Sequence, residues 1–451
     1  MKIVVIGCGT IGGTIIEHVS KEGHNLVIID DDKKRVESLI EHFDVLGVVG
    51  NGASLDIQEE AGVRGADLVI AVTPEDEINI LACMVAKKLG AKSTIARVRN
   101  PEYSRQTIIM QEELGLSMVV NPEQETADEI TSMVDLPSLL KIEPFAKGKV
   151  NLIELLVDED SLLKDETLIS LSKKLTTKVL ICAVQRNNQV IIPTGNFKIQ
   201  KGDRINLTAD ASSLVNFLKE LNLIKTPLKH ILIIGGGKIS YYLAKELLDK
   251  RYSVKMIENN AQRAEDLAEL LPKATIIHGD GTDHDLLLEE GIESSDACIA
   301  LTNIDEENII VSMYAQKLKV KKVIAKVKRS SFMGMVSDLG IANTVSPKDI
   351  VANRIISYIR ALANKKGSNV LTLYKLVNNQ VEALEFHAKK KEKIFDKPLK
   401  DLNIRHDCLI ACIIREGKVI IPNGNDCITL NDSVLVVTTH QNFDDLMDAF
   451  E

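Results

Sequence analysis

A glycine-rich turn near the start of the chain could hold a phosphate group. It consists of Gly7, Cys8, Gly9, Thr10, Ile11 and Gly12. The turn follows the apolar run Ile3–Ile6 and precedes apolar residues at helical spacing, so it joins a predicted strand to a predicted helix. In such a turn the first glycine permits a tight bend, the second lets the backbone approach a pyrophosphate, and the helix N-terminus supplies amide donors. The alternative is a glycine turn that only connects strand and helix.

The acidic residue at the end of the second predicted strand fits the same site. Asp30 directly follows the apolar run Leu26–Ile29. A carboxylate in this position accepts hydrogen bonds from the 2′- and 3′-hydroxyls of a ribose. Because it also repels a 2′-phosphate, we expect the site to bind NAD(H) or an adenine nucleotide and to discriminate against NADP.

A second turn of this kind occurs half-way along the chain. It consists of Gly235, Gly236, Gly237, Lys238 and Ile239. Ser240 stands where the first turn has its third glycine, and Glu258 takes the acidic ribose position. Lys238 adds a cation beside the phosphate position. The pattern predicts a second nucleotide site, and the alternative is a degenerate site that binds nothing.

Three further sets of residues lie at predicted strand ends, where open α/β sheets bind ligands. The sets are Asn51-Gly52 with Asp280, Thr73-Pro74 with Thr302, and Arg97 with Lys326. The first set could bond an adenine edge, with a simple turn as the alternative. Each threonine precedes an acidic residue by three positions, which favours a helix N-cap at the rim of the crevice. The two cations could meet a phosphate, and surface cations are the alternative.

The chain is duplicated along its whole length. Ala66–Thr73 returns as Ser295–Thr302, and Val190–Gly195 returns as Val419–Gly424. Because the repeat covers the binding turns as well as the scaffold, no unique region remains that is large enough for a separate catalytic domain. We therefore predict no catalytic residues.

The order of elements predicts an α/β fold. Strands at 3–6, 26–29, 45–49, 68–72 and 94–98 alternate with helical segments, such as 78–89, and the series recurs from residue 230. This order predicts two Rossmann-like, doubly wound parallel sheets. From about residue 140 the apolar period changes to two, with a hairpin at 179–192 that returns at 408–421. Each sheet is thus followed by a small α+β module.

Four domains are expected from these patterns. The nucleotide-binding domains are residues 1–135 and 228–362, and the C-terminal modules are residues 140–224 and 368–451. The polar segments Lys225–Lys229 and Lys365–Asn369 mark the boundaries between them.

Composition narrows the class of protein. No apolar run approaches the length of a membrane span, and Met1–Ile6 leads straight into a strand, so we expect no signal peptide. Seven scattered cysteines favour a reduced, cytosolic setting. Cys408 and Cys412 alternate with apolar residues, which favours buried structural thiols over a metal pair, and no metal site is predicted. The net charge of −9 argues against a nucleic-acid partner.

These motifs in this order resemble the RCK family, the regulators of potassium conductance. The duplicated arrangement is similar to the cytosolic subunit of Trk-type potassium uptake systems. The motifs of the first half are Gly7–Gly12, Asp30, Gly50-Asn51-Gly52, Ala61-Gly62, Ala66-Asp67, Ala71–Thr73 and Ala96-Arg97. Those of the second half are Gly235–Ile239, Glu258, Gly279-Asp280, Ala300–Thr302 and Asp305-Glu306. Thr10 departs from some single-unit relatives, which carry an arginine at its position.

The resemblance implies a nucleotide-sensing regulator without catalysis. It implies NAD(H), with ATP or ADP as further candidate ligands, and assembly as a homo-oligomer, a dimer or tetramer forming a ring. The ring would lie in the cytoplasm, at the inner face of the cell membrane, on a Trk-type integral membrane potassium transporter subunit. Two alternatives stay open at this point. One is an NAD-dependent oxidoreductase, although the β-rich modules offer no acid–base constellation. The other is the same sensor acting on a cation antiporter.

Overall fold

The chain folds into two compact units, and each unit contains parts of both halves of the sequence. Unit 1 comprises residues 1–134 and 228–356, and unit 2 comprises residues 135–227 and 357–451. The structure is a computed structural model. It describes all residues except 105–106, 137–138, 146–149, 188, 224–227, 365–369, 377–379, 389–392, 441–442 and 444. The predicted boundary segments Lys225–Lys229 and Lys365–Asn369 therefore lie largely or wholly outside the described residues.

The first half of unit 1 is a six-stranded parallel sheet with strand order β3-β2-β1-β4-β5-β6. Its strands are β1 (Lys2–Ile6), β2 (Asn25–Asp30), β3 (Leu46–Val49), β4 (Leu68–Ala71), β5 (Ser93–Arg97) and β6 (Met118–Val120). Its helices are α1 (Thr10–Val19), α2 (Lys33–His42), α3 (Leu55–Glu60), α4 (Asp76–Lys88), α5 (Pro101–Ser104), α6 (Thr107–Glu112) and α7 (Pro122–Asp135). The predicted doubly wound sheet is confirmed, and β6 and α7 are additions that the sequence patterns did not predict.

The second half of unit 1 repeats this sheet, with strand order β14-β13-β12-β15-β16-β17. Its strands are β12 (His230–Ile234), β13 (Ser253–Glu258), β14 (Thr275–His278), β15 (Ala297–Ala300), β16 (Lys322–Lys326) and β17 (Asn343–Val345). Its helices are α10 (Lys238–Asp249), α11 (Ala261–Leu270), α12 (His284–Glu289), α13 (Asp305–Lys317), α14 (Ser330–Asp338) and α15 (Pro347–Asn364).

Strand pairing brings the predicted site residues to one edge of each sheet. The central strand β1 pairs in parallel with β2 and β4, with Ile6 opposite Ile29 and Ala71. The glycine turn, Asp30 and the loop after β4 therefore leave the sheet side by side. In the second half, Ile234 of β12 likewise lies opposite Ile257 and Ala300. This edge is where doubly wound sheets bind ligands.

Helix α7 joins the two halves of unit 1. Its apolar face, with Ala127, Ile130 and Met133, belongs to the same buried cluster as Ile231 and Ile239 of the second half. Polar contacts add to this packing: Thr131 Oγ1 donates to Glu246 Oε2 over 3.0 Å. Burial of that face stabilises one arrangement of the two glycine turns relative to each other.

Unit 2 contains the two β-rich modules. The first is an antiparallel sheet of β7 (Leu139–Phe145), β8 (Val150–Leu156), β9 (Leu180–Arg186), β10 (Gln189–Ile191) and β11 (Arg204–Asp210), with α8 (Leu168–Lys174) and α9 (Ala211–Glu220). The second is an antiparallel sheet of β18 (Val370–Leu376), β19 (Val381–His387), β20 (Cys408–Arg415), β21 (Lys418–Ile420) and β22 (Ser433–Thr438). The two sheets share one apolar cluster, and Thr208 Oγ1 of the first donates to Ala411 O of the second over 3.0 Å. The predicted fold class is thereby confirmed for both modules.

The cysteines of the second module are buried thiols. Cys408 and Cys412 are at most 8% exposed, and burial raises the pKa of the Cys412 thiol to about 12. Among the described residues, no group of three or more metal-ligating side chains could hold a metal ion. Among the same residues, no helix is long and apolar enough to cross a membrane.

Candidate functional site: a nucleotide cleft shared by the two halves

Both glycine turns open onto one cleft of about 1360 Å³ in unit 1. We call it the shared cleft. The predicted residues that line it from the first half are Gly7, Gly9, Thr10, Ile11, Asp30, Asn51, Gly52, Thr73, Pro74 and Arg97. Those from the second half are Gly237, Lys238, Ile239 and Lys326. The remaining predicted residues are not among those that line it: Cys8, Gly12, Gly235, Gly236, Glu258, Asp280 and Thr302.

The first turn has the backbone that its glycines were expected to permit. Gly7 has a φ of +90°, and a Cβ there would lie 2.7 Å from Thr73 N. At Gly12 a Cβ would lie 2.0 Å from Gly7 O, so helix α1 packs directly on the turn. At Gly9 a Cβ would meet nothing within 4 Å, and no side chain caps α1. Open space therefore faces the uncapped amides at the helix N-terminus, as an anion site requires.

Asp30 is held between the turn and a nearby arginine. Its carboxylate accepts from Cys8 N (2.6 Å) and from Arg35 Nη1 (3.1 Å). Burial alone would raise the pKa of Asp30, but the amides of Asp32 and Cys8, together with the charge of Arg35, hold it below its ordinary value. Arg35 also lines the shared cleft. It places a cation beside the carboxylate that was expected to repel a 2′-phosphate.

The second turn repeats the first with one altered contact. Gly235 has a φ of +95°, and Gly236 N donates to Glu258 Oε2 over 2.6 Å. Arg263 is the counterpart of Arg35, but its Nε donates to Gly236 O over 2.9 Å instead of to the acid. Ser240 is fully buried, and its hydroxyl has no hydrogen-bond partner in the part of the chain that the structure describes.

Asn51 and Asp280 both form local turns. Asn51 Oδ1 accepts from Ala53 N over 2.9 Å, and Asp280 Oδ1 accepts from Thr282 N over 2.8 Å. Hydrogen bonds from Thr282 also lower the pKa of Asp280. The turn that was the alternative role is therefore present at both positions, while contact with an adenine edge stays a prediction.

The N-cap role predicted for Thr73 and Thr302 is wrong. Helix α4 begins at Asp76 with Glu75 as the N-cap residue, and α13 begins at Asp305 with Ile304 as the N-cap residue. Neither of these N-cap residues makes a capping hydrogen bond through its side chain. Thr73 Oγ1 bonds to Asn79 Oδ1 over 2.8 Å, inside the first turn of the helix. The spacing suggested an N-cap, but the hydroxyl of Thr73 donates to the side chain of Asn79 instead. The sequence patterns did not single out Asn79.

Asn79 ties the rim of the cleft together. It is fully buried, and its Oδ1 also accepts from Thr73 N over 2.8 Å. Its Nδ2 donates to Thr73 O (3.0 Å) and to Arg97 O (2.9 Å). Asn308 makes the matching bonds to Thr302 N and O and to Lys326 O. Each asparagine thus joins the ends of two neighbouring strands.

Neither Arg97 nor Lys326 is a surface cation. Arg97 is half-buried, and burial, followed by the charge of Arg99, lowers the pKa of its guanidinium. Lys326 is 5% exposed, and its Nζ donates to Leu301 O over 2.9 Å. Burial lowers the pKa of Lys326 to about 8. Burial removes water that would stabilise the charged forms of both groups. A bound anion would stabilise those charged forms in place of the water.

The lining of the shared cleft is cationic although the chain is acidic. Eight basic residues face four acidic ones: Arg35, Arg97, Arg99, Lys238, Lys326, Lys328, Arg329 and Lys348 against Asp30, Asp31, Glu75 and Glu123. Within the described residues, Arg97, Lys238, Lys326 and Lys328 form no ion pair with any acid. A ligand with several negative charges fits such a lining.

Glu123 is an acid of the first half that lies near cations of both halves. It stands in the first turn of α7, and the charges of Arg97, Arg99 and Lys238 act on it. Burial nevertheless raises its pKa, and its Oε2 has no hydrogen-bond partner among the described residues. The sequence patterns missed Glu123 because they did not predict β6 and α7. Arg99 and Lys328 could have been found, since they follow Arg97 and Lys326 by two positions.

Family models account for most of the chain. The TrkA-N domain matches residues 3–122 and 231–347, and the TrkA-C domain matches residues 152–222 and 384–451. Both glycine turns lie within TrkA-N segments.

Curated relatives match over nearly their full length. The Trk system potassium uptake protein TrkA homolog 1 of Methanosarcina mazei is 34% identical over 445 residues, covering 97% of each chain. The TrkA homolog of Archaeoglobus fulgidus is 31% identical over 451 residues, covering 100% of each chain.

Solved structures share the fold. The "GsuK channel bound to NAD" has a TM-score of 0.64 at 18% identity, covering 97% of this chain and 76% of that chain. The "GsuK bound to ADP" has a TM-score of 0.52 at 16% identity, covering 81% of this chain and 69% of that chain. The predicted resemblance is confirmed by the domain order and by the full-length relatives. The chain belongs to the TrkA family of potassium uptake proteins, non-enzymatic regulatory subunits built from tandem RCK domains.

Proposed function

We propose that this chain is the nucleotide-sensing regulatory subunit of a Trk-type potassium uptake system. One observation carries the proposal: two uncapped glycine turns and an excess of basic side chains meet in a single cleft. The ligand is NAD(H), ATP or ADP, and it occupies the cleft with its phosphates at the N-termini of α1 and α10. The two solved structures whose titles name NAD and ADP share the fold and support this choice of ligands.

The phosphates of a ligand in the first turn meet cations of the second half. Lys238, the counterpart of Thr10, is exposed at the start of α10 and faces the same space. Some single-unit relatives carry an arginine at the position of Thr10. In this chain Lys238 of the other half supplies the cation instead. A ligand with more negative charge is attracted more strongly by these cations and repelled more strongly by Glu123. Ligands of different charge therefore favour different arrangements of the two halves. The shift is limited to the differential affinity of the ligand for the two arrangements.

The regulated partner is an integral membrane potassium transporter subunit, and the chain acts on it as a homo-oligomeric ring at the inner face of the membrane. Helices α4 and α13 support self-assembly because they expose apolar side chains at corresponding positions. Leu81 and Met84 of α4 are 47% and 36% exposed, and Ile310 and Met313 of α13 are 62% and 41% exposed. Covering such pairs with further copies of the chain removes apolar surface from water.

Calorimetry tests the ligand directly. NAD, ATP and ADP are titrated into the wild type, into Lys238→Gln, and into Lys245→Gln as a control. Lys245 is exposed on the same helix but lies outside the cleft lining. Loss of a charged contact to phosphate should weaken binding about ten-fold or more in Lys238→Gln. The control should match the wild type. An equal effect of the two variants, or no binding to the wild type, would contradict the proposal.

A further inference from the structure

Gln58 is a buried amide that connects a ligand loop to a surface helix. It lies on the short helix α3 and is fully buried. Its Nε2 donates to Gly52 O over 2.7 Å and to Ala82 O over 2.9 Å. Both partners are carbonyl oxygens, so the donating nitrogen must be the atom that faces them. Its Oε1 has no hydrogen-bond partner in the described part of the chain, which makes the side chain costly to bury.

The loop that contains Gly52, at one end of this link, is tightly packed. Gly52 lines the shared cleft beside Asn51, and it is buried against β1. A Cβ at Gly52 would lie 2.0 Å from Ile6 Cγ2. A ligand that moves this loop must therefore also move Gln58 or break its hydrogen bond to Gly52.

The helix at the other end leads to the protein surface. Ala82 is buried in the middle of α4, while its neighbour Leu81 is 47% exposed. The first turn of α4 is also fastened to the cleft rim, through Asn79 and through Asp76, whose Oδ2 accepts from Arg99 N over 2.8 Å. Helix α4 thus receives contacts from three ligand loops and presents its outer face to the surroundings.

Among the described residues of the second half, this link is absent. Leu287 occupies the position of Gln58 on the corresponding helix α12, is 2% exposed, and belongs to the apolar core. The rim contacts are kept, because Asn308 bonds to Lys326 O and Asp305 accepts from Arg329 N. The two halves therefore differ in how the loop after the third strand connects to the helix after the fourth.

We propose that Gln58 is a positioning residue that transmits ligand occupancy from the loop Gly50–Ala53 to the middle of α4, in the first half only. The inference rests on the proposed nucleotide binding and specifies its regulation. Occupancy of the first turn reaches the exposed face of α4 through the amide of Gln58. Occupancy of the second turn reaches only the first turn of α13.

Hydrogen–deuterium exchange of the full chain, with and without NAD and with and without ADP, tests the link. The peptides of interest cover residues 81–88 of α4 and 310–317 of α13. The variants are Gln58→Met, which keeps the side-chain length without a donor, and Gln58→Leu, which copies the second half. Leu287→Met is the matched control, since it alters the corresponding position without touching a hydrogen bond. Thermal melting shows that each variant is folded.

The readout is the ratio of exchange rates without and with nucleotide. In the wild type the nucleotide should slow exchange in residues 81–88 and leave residues 310–317 nearly unchanged. Both Gln58 variants should lower the ratio for residues 81–88 about five-fold, the value of one hydrogen bond, while the control keeps it. A purely structural role would raise exchange equally with and without nucleotide.

The experiment distinguishes failure of the Gln58 link from failure of nucleotide binding itself. If the nucleotide protects residues 81–88 equally in the wild type and in both Gln58 variants, the link is refuted and nucleotide binding stands. If the nucleotide alters no peptide of the wild type, both the link and the proposed function are refuted.

Discussion

Removal of Asn79 should destabilise unit 1 and loosen the cleft rim. Asn79→Ala deprives three backbone groups of a partner: Thr73 N, Thr73 O and Arg97 O. Thr73 O retains a contact of 3.4 Å from Arg97 Nη1, so two groups are left without a partner. The cost is about 1–3 kcal/mol for each fully buried group, and both groups are only partly buried, so we take the lower part of that range and expect a loss of about 3 kcal/mol in total. A shift of about 2–4 °C per kcal/mol places the fall in melting temperature at about 6–12 °C.

Asn79→Asp separates the two roles of the side chain. An aspartate keeps the acceptor for Thr73 N but turns a carboxylate oxygen towards Thr73 O and Arg97 O. It should therefore destabilise the protein at least as much as alanine does. Asn25→Ala serves as the control, since Asn25 is exposed at the start of β2 and should melt with the wild type.

The assay is differential scanning calorimetry, with nucleotide titration of each variant below its melting range. Asn308→Ala should produce a fall of similar size, because Asn308 makes the matching bonds in the second half. A shift below 1 °C for both alanine variants would refute the assignment of these asparagines as the clamps of the rim.

Three further predictions concern charge in unit 1. Arg35 offsets the charge of Asp30, so Arg35→Ala should sharpen the preference for NAD over NADP, and calorimetry with both ligands checks this; unchanged selectivity would contradict it. Lys326 has a pKa of about 8, so a bound phosphate should draw in up to about half a proton at pH 8, measured by titration in buffers of different ionisation enthalpy. Burial raises the pKa of Glu125 to about 7, although Arg354 lies 3.0 Å away. The folded state therefore binds this proton more tightly than the unfolded state does. The resulting stabilisation is complete below about pH 4.5 and is lost as the pH rises to about 7. Glu125→Gln should flatten this fall by up to about 3 kcal/mol in urea unfolding, and an unchanged pH profile would refute the shift.

Much of unit 1 follows from local patterns. The runs Ile3–Ile6 and Leu26–Ile29 predict strands because they are apolar and lie directly before a glycine or an acid. The glycine turn predicts its own backbone, and Gly7 has the positive φ that such a turn needs. Duplication then extends the prediction to the second half.

The shared cleft could not be predicted in the same way. It depends on α7 of the first half packing on the core of the second half, a contact between residues far apart in sequence. Asn79 and Gln58 were missed because a buried amide in a helix has no periodic signature; only the carbonyl groups around it reveal its role. The N-cap assignment of Thr73 failed for a related reason, since its hydroxyl donates to the buried amide of Asn79, six residues on, and does not cap the helix backbone.

Nucleotide-dependent potassium flux in a reconstituted system is the direct test of the proposed regulation. The chain and the Trk-type membrane subunit proposed as its partner are reconstituted in liposomes, and potassium flux is measured with NAD, ATP, ADP or no nucleotide on the chain's side. We expect flux to change when one nucleotide replaces another, and we expect Lys238→Gln to blunt this response while Lys245→Gln keeps it. Flux that is the same with every nucleotide and in both variants, despite a stable complex, would contradict nucleotide regulation and leave the chain as a static scaffold.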